Sequence, residues 1–398
     1  MSWKQVSISS VSEVVTKGTT PTSIGFNFVK EGIPFLRVNN IQNGKLVIND
    51  ILFIDSKTDE ALARSRIQPK DILISIAGTI GRTAVVPPDA PAMNCNQAVA
   101  IIRLREGIDP YYINYWLSTD DAVQQITGAK VTATISNLSL GCIKELKIPL
   151  PPLQEQRRIA TILDKADAIR RKRQQAIALT EELLRSAFLE MFGDPVTNPK
   201  GWEVHQLKDF SEIQSGIAKG KKIDLSKAVS IPYMRVANVQ DGYLDLSEIK
   251  TLEILPTDID RYILREGDLL LTEGGDPDKL GRGAVWYGKI QPCIHQNHIF
   301  CVRPNRTLAE PEYLSALIGS ERGKRYFLQA AKQTTGIATI NKTQLCGFPA
   351  FLPPLYLQQK YSQFVKLIRS TQRRLDDKYE QTNKLFNSLL QRAFSGEL

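Results

Sequence analysis

The stretch Ile33-Pro-Phe-Leu-Arg-Val-Asn-Asn40-Ile-Gln-Asn-Gly44 returns about 200 residues later as Ile231-Pro-Tyr-Met-Arg-Val-Ala-Asn238-Val-Gln-Asp-Gly242. Further matching pairs keep the same order in both halves of the chain: Lys70-Asp-Ile-Leu-Ile74 with Gly267-Asp-Leu-Leu-Leu271, Gly81-Arg82 with Gly281-Arg282, Asn96-Gln97 with His295-Gln296-Asn297, Ala133-Thr-Ile135 with Ala338-Thr-Ile340, and Pro151-Pro-Leu153 with Pro353-Pro-Leu355. Chance does not preserve such an order. The chain therefore contains two copies of one unit.

Each copy begins with a segment typical of a mixed α/β domain. Apolar and β-branched runs at residues 33–38 and 71–76 are bounded by Gly, Pro, Asn and Asp, which is typical of short strands. Residues 111–117 and 311–318 are predicted to be short helices. Each follows an acidic residue and a proline, Asp109-Pro110 and Glu310-Pro311, which suits a helix start.

Each copy ends in a stretch with helical periodicity and no internal Gly or Pro. Apolar or small residues recur at spacings of three and four at Ile159, Ile162, Ala166, Ile169, Ala176, Thr180, Leu183 and Ala187, and again at Phe364, Ile368, Thr371, Leu375, Thr382, Leu385 and Leu389. This pattern predicts two helices of about 35–40 residues, roughly 50–60 Å long. A narrow stripe on so long a helix favours pairing with the other copy's helix. Packing of each helix on its own domain is the alternative.

The predicted fold class is α+β, with two mixed α/β domains that are each followed by a long helix. The two helices are expected to pair as an antiparallel coiled coil with pseudo-two-fold symmetry, because a duplicated chain tends to pair its copies about such an axis. The predicted segments are a first domain at 1–150, a central helix at 151–195, a second domain at 196–352 and a C-terminal helix at 353–398.

The overall composition favours an anionic partner. The formal net charge is +9, so nucleic acid is favoured over a neutral ligand, although charge alone supports only non-specific attraction. No segment approaches the roughly 20 apolar residues of a membrane span. The five cysteines are scattered and odd in number, which argues against a disulfide framework and favours a cytoplasmic location.

Motifs for catalysis are missing from the sequence. There is no GxxxxGK[ST] phosphate loop, no Asn-Pro-Pro-Tyr or Asp-Pro-Pro-Tyr tetrad for amino methylation, and no FxGxG run for a methyl donor. Glu145-Leu-Lys147 resembles the end of a nuclease motif but has no acidic partner at a suitable distance before it. No catalytic residue and no cofactor bound by this chain are predicted.

One cluster raises the question of zinc. Cys293-Ile-His295-Gln-Asn-His298-Ile-Phe-Cys301 offers four soft ligands in nine residues. In a strand, however, His298 would lie on the face opposite the other three ligands. The corresponding segment of the first copy, Met93-Asn-Cys-Asn-Gln-Ala98, keeps only one cysteine. No metal site is therefore predicted, and a polar strand end that faces DNA is the preferred interpretation.

Loops rich in Lys, Arg, Thr, Asn and Gln supply candidate DNA contacts in both copies. Lys and Arg neutralise phosphates, Arg pairs with guanine, and Asn or Gln pairs with adenine edges. The candidates are Lys17, Thr19, Thr20, Arg37, Asn39, Asn40, Arg82, Asn96, Gln97, Lys130 and Thr132 in the first copy, and Lys219, Lys221, Lys222, Arg235, Asn238, Arg282, His295, Gln296, Asn297, Lys332, Thr334 and Thr335 in the second. Asn40 and Asn238 equally fit turn residues that bond their own backbone.

The joins between domain and helix resemble those of the specificity subunits of Type I restriction–modification enzymes. That family enters its helices through a Leu-Pro-Pro-Leu-x-x-Gln pattern, here Leu150-Pro-Pro-Leu-Gln-Glu-Gln156 and Leu352-Pro-Pro-Leu-Tyr-Leu-Gln358. The helices of the family end in an Ala-Phe pair near Gly, seen here as Ala187-Phe188 before Gly193 and Ala393-Phe394 before Gly396. Thr180-Glu-Glu-Leu183 resembles a tetrapeptide that tunes spacer length in some relatives.

The resemblance implies a non-catalytic subunit that reads a bipartite, gapped site on double-stranded DNA through two target-recognition domains. Two modification subunits and the restriction subunits would dock on it, and they would carry S-adenosylmethionine, ATP and Mg²⁺. Alternatives are a specificity module of a related Type II-like or other DNA-modification system, and a cryptic nuclease or methyltransferase.

Overall fold

The computed structural model describes residues 3–42, 44–48, 50–128, 137–218, 224–275, 280–334 and 337–398. The chain divides into two compact units. Unit 1 comprises Met1–Gln175 and Asp377–Leu398, and unit 2 comprises Ala176–Asp376. Among the described helices, none is long and apolar enough to cross a membrane.

Unit 1 is built from short strands and helices in the order that the sequence predicts. Its strands are β1 Gln5–Ser7, β2 Ser12–Lys17, β3 Ile33–Leu36, β4 Ile41–Gln42, β5 Lys45–Leu46, β6 Leu52–Ile54, β7 Ile72–Ser75, β8 Thr83–Val85, β9 Asn94–Cys95, β10 Val99–Leu104 and β11 Lys147–Pro149. Its helices are α1 Ile8–Val11, α2 Ser56–Ala61, α3 Pro110–Trp116, α4 Asp120–Thr127, α5 Leu140–Glu145 and the first part of α6 Leu153–Phe192.

Unit 2 repeats this plan. Its strands are β12 Val204–Gln206, β13 Ser211–Ser215, β14 Val229–Met234, β15 Lys250–Ile254, β16 Leu269–Thr272, β17 Gly274–Gly275, β18 Gly283–Val285, β19 Ile294–His295, β20 Ile299–Pro304, β21 Lys332–Thr334, β22 Ile337–Thr339 and β23 Pro349–Phe351. Its helices are α7 Pro256–Tyr262, α8 Pro311–Ile318, α9 Glu321–Ala330, α10 Lys342–Cys346 and the first part of α11 Leu355–Ser395.

The sheets of the two units have the same strand order, which confirms the duplication. The sheet β2-β10-β7-β8 of unit 1 corresponds to β13-β20-β16-β18 of unit 2, and β6-β3-β9 corresponds to β15-β14-β19. In both three-stranded sheets the central strand pairs with one neighbour antiparallel and with the other parallel. A largely buried ion pair occupies the same place in each unit, with N–O distances of 2.8 Å for Arg103–Asp71 and 2.7 Å for Arg303–Asp268.

Both long helices contribute to the hydrophobic core of both units. The core of unit 1 contains Ile159 and Leu163 from the start of α6 together with Phe386 and Leu390 from the end of α11. Unit 2 has the converse arrangement, with residues such as Phe188 and Phe192 of α6 beside Tyr361 and Val365 of α11. The compact units therefore differ from the four consecutive segments predicted, because each helix begins on its own domain and ends on the other copy's domain.

The helix segments run antiparallel within each unit. In unit 1, Arg158 donates to the carbonyl oxygen of the last residue, Leu398, while Arg173, further along α6, donates to the earlier carbonyl of Lys378. In unit 2, Gln372 donates to Glu181 at 2.9 Å, and the ring centroids of Phe188 and Tyr361 lie 5.6 Å apart. Both predicted modes of helix packing are thus present, against the home domain and against the other helix.

A glutamine fastens each long helix to its domain. Gln156 accepts a hydrogen bond from the backbone N–H of Asp109, just before α3, and donates to the carbonyl of Pro151. Gln358 accepts from the N–H of Glu310 and donates to the carbonyls of Pro353 and Leu308. Both glutamines are buried. The last position of the Leu-Pro-Pro-Leu-x-x-Gln pattern therefore satisfies backbone groups that burial would otherwise leave unpaired.

Candidate nucleic-acid interface

Three of the predicted polar segments of unit 1 meet at one edge of its sheets. The parallel pairing of β3 with β9 sets Leu36 beside Cys95, and the N–H of Asn96 donates to the carbonyl of Leu36 at 3.1 Å. The N–H of Thr19 donates to the carbonyl of Cys95 at 3.2 Å. A Cβ on Gly18 would lie 2.0 Å from that same carbonyl oxygen, so only glycine permits this approach.

We call this surface the first edge and define it by residues 17–20, 37–40, 76–82 and 96–98. The N–H of Ile76 donates to the carbonyl of Ala98 at 2.8 Å, and this hydrogen bond joins segment 76–82 to segment 96–98. The first edge lies at one end of the strands, since Lys17 pairs with Ala100 while the other end of the same strand pair holds Ser12 and Leu104. That other end leads on to α3 and the Gln156 contact.

The equivalent second edge of unit 2 consists of residues 216–218, 235–238, 273–275, 282 and 296–298. Gln296 donates its N–H to the carbonyl of Met234 at 3.0 Å, and Ile217 donates its N–H to the carbonyl of His295 at 2.9 Å, as Asn96 and Thr19 do with Leu36 and Cys95 in unit 1. A Cβ on Gly216 would lie 2.2 Å from the carbonyl oxygen of His295. The same backbone contacts therefore build both edges.

The candidate side chains of the first edge differ in solvent exposure and in whether they have hydrogen-bond partners. Lys17, Asn39, Arg82 and Gln97 are exposed, while Thr19, Thr20, Arg37 and Asn96 are half-buried. Thr20 donates to Gln97, and Arg37 donates to the carbonyl and the carboxylate of Asp50. Among the described residues, the guanidinium of Arg82 has no partner.

The candidate side chains of the second edge are mostly half-buried. Arg235 donates to the carbonyl of Glu248 at 3.0 Å and lies 3.3 Å from its carboxylate. Arg282 donates to Gln240 at 3.3 Å. Gln296 and Asn297 are partly open to solvent. The charge of Arg235 is therefore partly neutralised by Glu248, whereas Arg282 is engaged only with a neutral amide.

The structure corrects three candidates, because Asn40, Asn238 and His295 are only 1%, 3% and 0% exposed. Each asparagine accepts the N–H of an arginine three residues earlier and donates to carbonyls of the following loop, so these side chains hold turns. His295 lies beside the carbonyl of Tyr262, with 3.1 Å between its Nδ1 and that oxygen. Burial lowers the pKa of His295 to about 4.

The strand pairing fixes the residue-by-residue alignment of the two copies at this point. Leu36 pairs with Cys95 in unit 1, and Met234 pairs with His295 in unit 2. His295 is thus the counterpart of buried Cys95. The residues of unit 2 that are equivalent to Asn96 and Gln97 are therefore Gln296 and Asn297.

Several candidates lie outside the described residues or have side chains that are not described. Lys130, Thr132, Lys219, Lys221, Lys222 and Thr335 belong to the first group. Lys332 and Thr334 lie on β21, which pairs with β22 beside Gly274 and Gly275. Their backbone therefore lies next to the second edge.

The four side chains that were weighed as zinc ligands, Cys293, His295, His298 and Cys301, are not arranged around one point. Cys293 and Cys301 are buried, and burial raises the pKa of the Cys293 thiol to about 12. His298 is paired with Glu273 instead, with 2.6 Å between Nδ1 and Oε2. Among the described residues, no group of three or more His, Cys, Asp or Glu side chains is arranged to hold a metal ion.

Glu273 and His298 are two edge residues absent from the sequence-based candidates. Both side chains reach solvent, with 32% and 57% of their surface exposed. Glu273 could have been found from the sequence, because it is a polar residue directly after the buried strand Leu269–Thr272. His298 belongs to the segment interpreted as a polar strand end that faces DNA, but it was not among the named candidate contacts.

Comparison with known proteins identifies the family. The sequence profile described as "Type I restriction modification DNA specificity domain" matches residues 1–179 and again 199–379. The chain therefore belongs to this family and carries two copies of its domain. This confirms the resemblance noted in the sequence.

Individual relatives agree with this assignment. The Type I restriction enzyme EcoKI specificity subunit of Escherichia coli (strain K12) is 24% identical over all of this chain and 89% of that relative. The StySPI specificity subunit of Salmonella potsdam is 22% identical over the same shares.

Solved structures support the fold. The S subunit of a Type I restriction–modification system from M. genitalium has a TM-score of 0.56 at 14% identity, covering 98% of this chain and 96% of that one. A chain from a study of complex assembly and conformational transition of the type I R-M system has a TM-score of 0.54 at 20% identity, covering 100% and 98%.

Proposed function

We propose that this chain is the specificity subunit that directs a Type I restriction–modification complex to a bipartite, gapped DNA site, with one half-site read by each unit. The observation that carries the proposal is the pair of edges. The same backbone contacts build both edges, yet the side chains at equivalent positions differ, as with Gln97 and Asn297. Two readers with one framework and different side chains recognise two different short sequences.

The chain itself is proposed to be non-catalytic and cytoplasmic. The edges hold amides, hydroxyls and guanidinium groups, which suit phosphate and base contacts. Methyl transfer to adenine, with S-adenosylmethionine, would be performed by docked modification subunits that flip the target base out of the duplex. The restriction subunits would supply the ATP- and Mg²⁺-dependent steps.

Attraction to DNA and selection of its sequence are assigned to different features of the chain. The net charge of +9 supports attraction to the phosphate backbone, whereas the edges supply selectivity. Three of the four residues in the basic run at 170–173 are already engaged within unit 1: Arg170 and Arg171 with Asp167, and Arg173 with Lys378 and Thr382. Contact of this run with spacer phosphates is therefore not part of the proposal.

The experiment maps adenine methylation across a genome that carries an active modification partner, with and without this gene. The expected result is one gapped motif that loses methylation when the gene is absent. Replacing residues 1–150 with the corresponding domain of a relative should then change one half of the motif and preserve the other. A change in both halves, or a motif independent of the gene, would contradict the proposal. Binding of S-adenosylmethionine or ATP by the purified chain would point to the enzymatic alternative.

A further inference from the structure

The backbone places Glu273 and His298 side by side at the second edge. The N–H of Glu273 donates to the carbonyl of His298 at 3.0 Å, and the carbonyl of Glu273 accepts from Ile340 at 2.9 Å. Both residues border buried strands, β16 and β20, which hold the neighbouring backbone in place. The two side chains are therefore presented from an ordered frame.

The side chains form a short polar chain that faces solvent. Oε2 of Glu273 lies 2.6 Å from Nδ1 of His298, and Nε2 of His298 lies 3.5 Å from the amide nitrogen of Asn297. Within the described part of the chain, Oε1 of Glu273 accepts no hydrogen bond. The imidazole thus orients a carboxylate whose Oε1 is left unused by the residues that the structure describes.

The first edge has the same backbone contact without this chemistry. There the N–H of Ile76 donates to the carbonyl of Ala98 at 2.8 Å, so Ile76 and Ala98 are the counterparts of Glu273 and His298. Two apolar side chains in one unit thus replace an ionisable pair in the other. Any contact that this pair makes to DNA belongs to the second half-site alone.

A carboxylate at a DNA-facing edge selects its partner by charge. Phosphates repel it, and it accepts hydrogen bonds but donates none. The base-edge donors of the major groove are the amino groups of cytosine N4 and adenine N6. In the major groove, only these groups can donate to Oε1 of Glu273.

We propose that Glu273 is a specificity-determining residue of unit 2 that accepts a hydrogen bond from a cytosine or adenine amino group in the second half-site, and that His298 is its positioning residue. The inference rests on the proposed function, since it assumes that unit 2 reads one half-site. It adds the class of base that one position of that half-site must present.

The test measures binding by the complex of this chain with its modification subunit. The DNA is a panel of duplexes that carry the motif found by methylation mapping, with each position of both half-sites replaced in turn. Competition binding compares the wild type with E273A, H298A and E203A. Glu203 supplies a matched control, because it pairs with His205 at 3.6 Å beside β23, at the end of unit 2 away from the second edge.

The expected result is confined to one position. In the wild type, one C or A of the second half-site should carry a penalty of about ten- to hundredfold on replacement, the range for a good base contact. E273A should remove most of that penalty, because alanine has no acceptor, H298A should reduce it at the same position, and E203A should leave it unchanged. The identity of the affected base distinguishes cytosine from adenine.

Other outcomes overturn the inference in distinguishable ways. Unchanged penalties in E273A would refute the role of Glu273 while leaving the two-reader function intact. A folded E273A complex, verified by circular dichroism, that loses affinity equally for every duplex would also refute base reading. Absence of any base preference for the second half-site in the wild type would refute both this inference and the proposed function.

Discussion

Asn238 holds the turn after β14 through three hydrogen bonds. Its side-chain oxygen accepts the N–H of Arg235 at 2.9 Å, and its amide donates to the carbonyls of Asp245 and Glu248 at 2.9 and 3.1 Å. Asn238→Ala should lower the free energy of unfolding of unit 2 by about 1–3 kcal/mol, because buried backbone groups lose their partners. Thermal unfolding measures this loss.

Asn297→Ala is the control for Asn238→Ala, because Asn297 is a half-buried residue of the second edge. We expect Asn297→Ala to affect DNA selectivity more than stability. A changed half-site with normal stability in Asn238→Ala would restore Asn238 as a base-reading residue.

His295 makes the stability of unit 2 depend on pH. Burial lowers the pKa of its imidazole to about 4, below the ordinary 6.5, so the unfolded chain binds more protons between these values. Stability is therefore complete above about pH 6.5 and falls as the pH drops towards 4. Acidification from pH 6.5 to pH 5 should cost about 2 kcal/mol through this group.

The measurement compares denaturant unfolding at several pH values for the wild type and His295→Cys, which installs the residue of the equivalent position in unit 1. The variant should lose less stability on acidification than the wild type. Equal slopes would show that His295 does not carry the pH dependence. The slope is the informative quantity, because the smaller side chain also changes stability at every pH.

At the scale of elements, the joint between α11 and its domain depends on Gln358. Gln358→Leu would leave the N–H of Glu310 and two carbonyls without a partner in a buried place. We expect a loss of about 2–4 kcal/mol in the free energy of unfolding. The matched control is Gln359→Leu, since Gln359 is the next residue of the same helix and is exposed. Similar urea unfolding curves for both variants would contradict the role of Gln358.

The sequence predicts the elements better than their contacts. The duplication, the long helices and the short helices after Asp109 and Glu310 follow from local signals: matching order, absence of Gly and Pro, and a proline at the first turn. The Gln156 and Gln358 contacts join residues 47 and 48 positions apart, so local periodicity holds no information about them.

The edge residues were only partly predictable for the same reason. Residues of the three segments around Thr19, Arg37 and Asn96 share a composition that points to DNA, but their meeting depends on the parallel pairing of β3 with β9. In unit 2 the equivalent pairing of β14 with β19 sets His295 beside Met234, where both residues are buried. Composition alone does not distinguish an amide that reads a base from one that holds a turn.

At the scale of the whole chain, two helical connections join the units. Helix α6 passes from unit 1 to unit 2 at Gln175 and Ala176, and α11 passes back at Asp376 and Asp377. The core of each unit contains residues from both helices. Neither unit therefore corresponds to one continuous half of the sequence. The residues of each edge, in contrast, all come from one half.

This connectivity predicts how spacer length responds to helix length. A four-residue helical insert adds about 6 Å, which corresponds to roughly two base pairs. Inserts placed in both helices, after Gln175 and after Asp376, should lengthen the unread spacer by about that amount and preserve both half-sites. An insert in α6 alone should change the spacer by less, because the second connection keeps its length.

Methylation mapping of the single- and double-insert chains measures the spacer directly, with a four-residue substitution at the same points as the control of unchanged length. Each insert lies at a division between units, so it leaves the internal contacts of both edges in place. A double insert that still directs methylation to a spacer of the original length would show that the helices do not set the spacing. A change in either half-site sequence would show instead that the edges depend on the helices for their recognition.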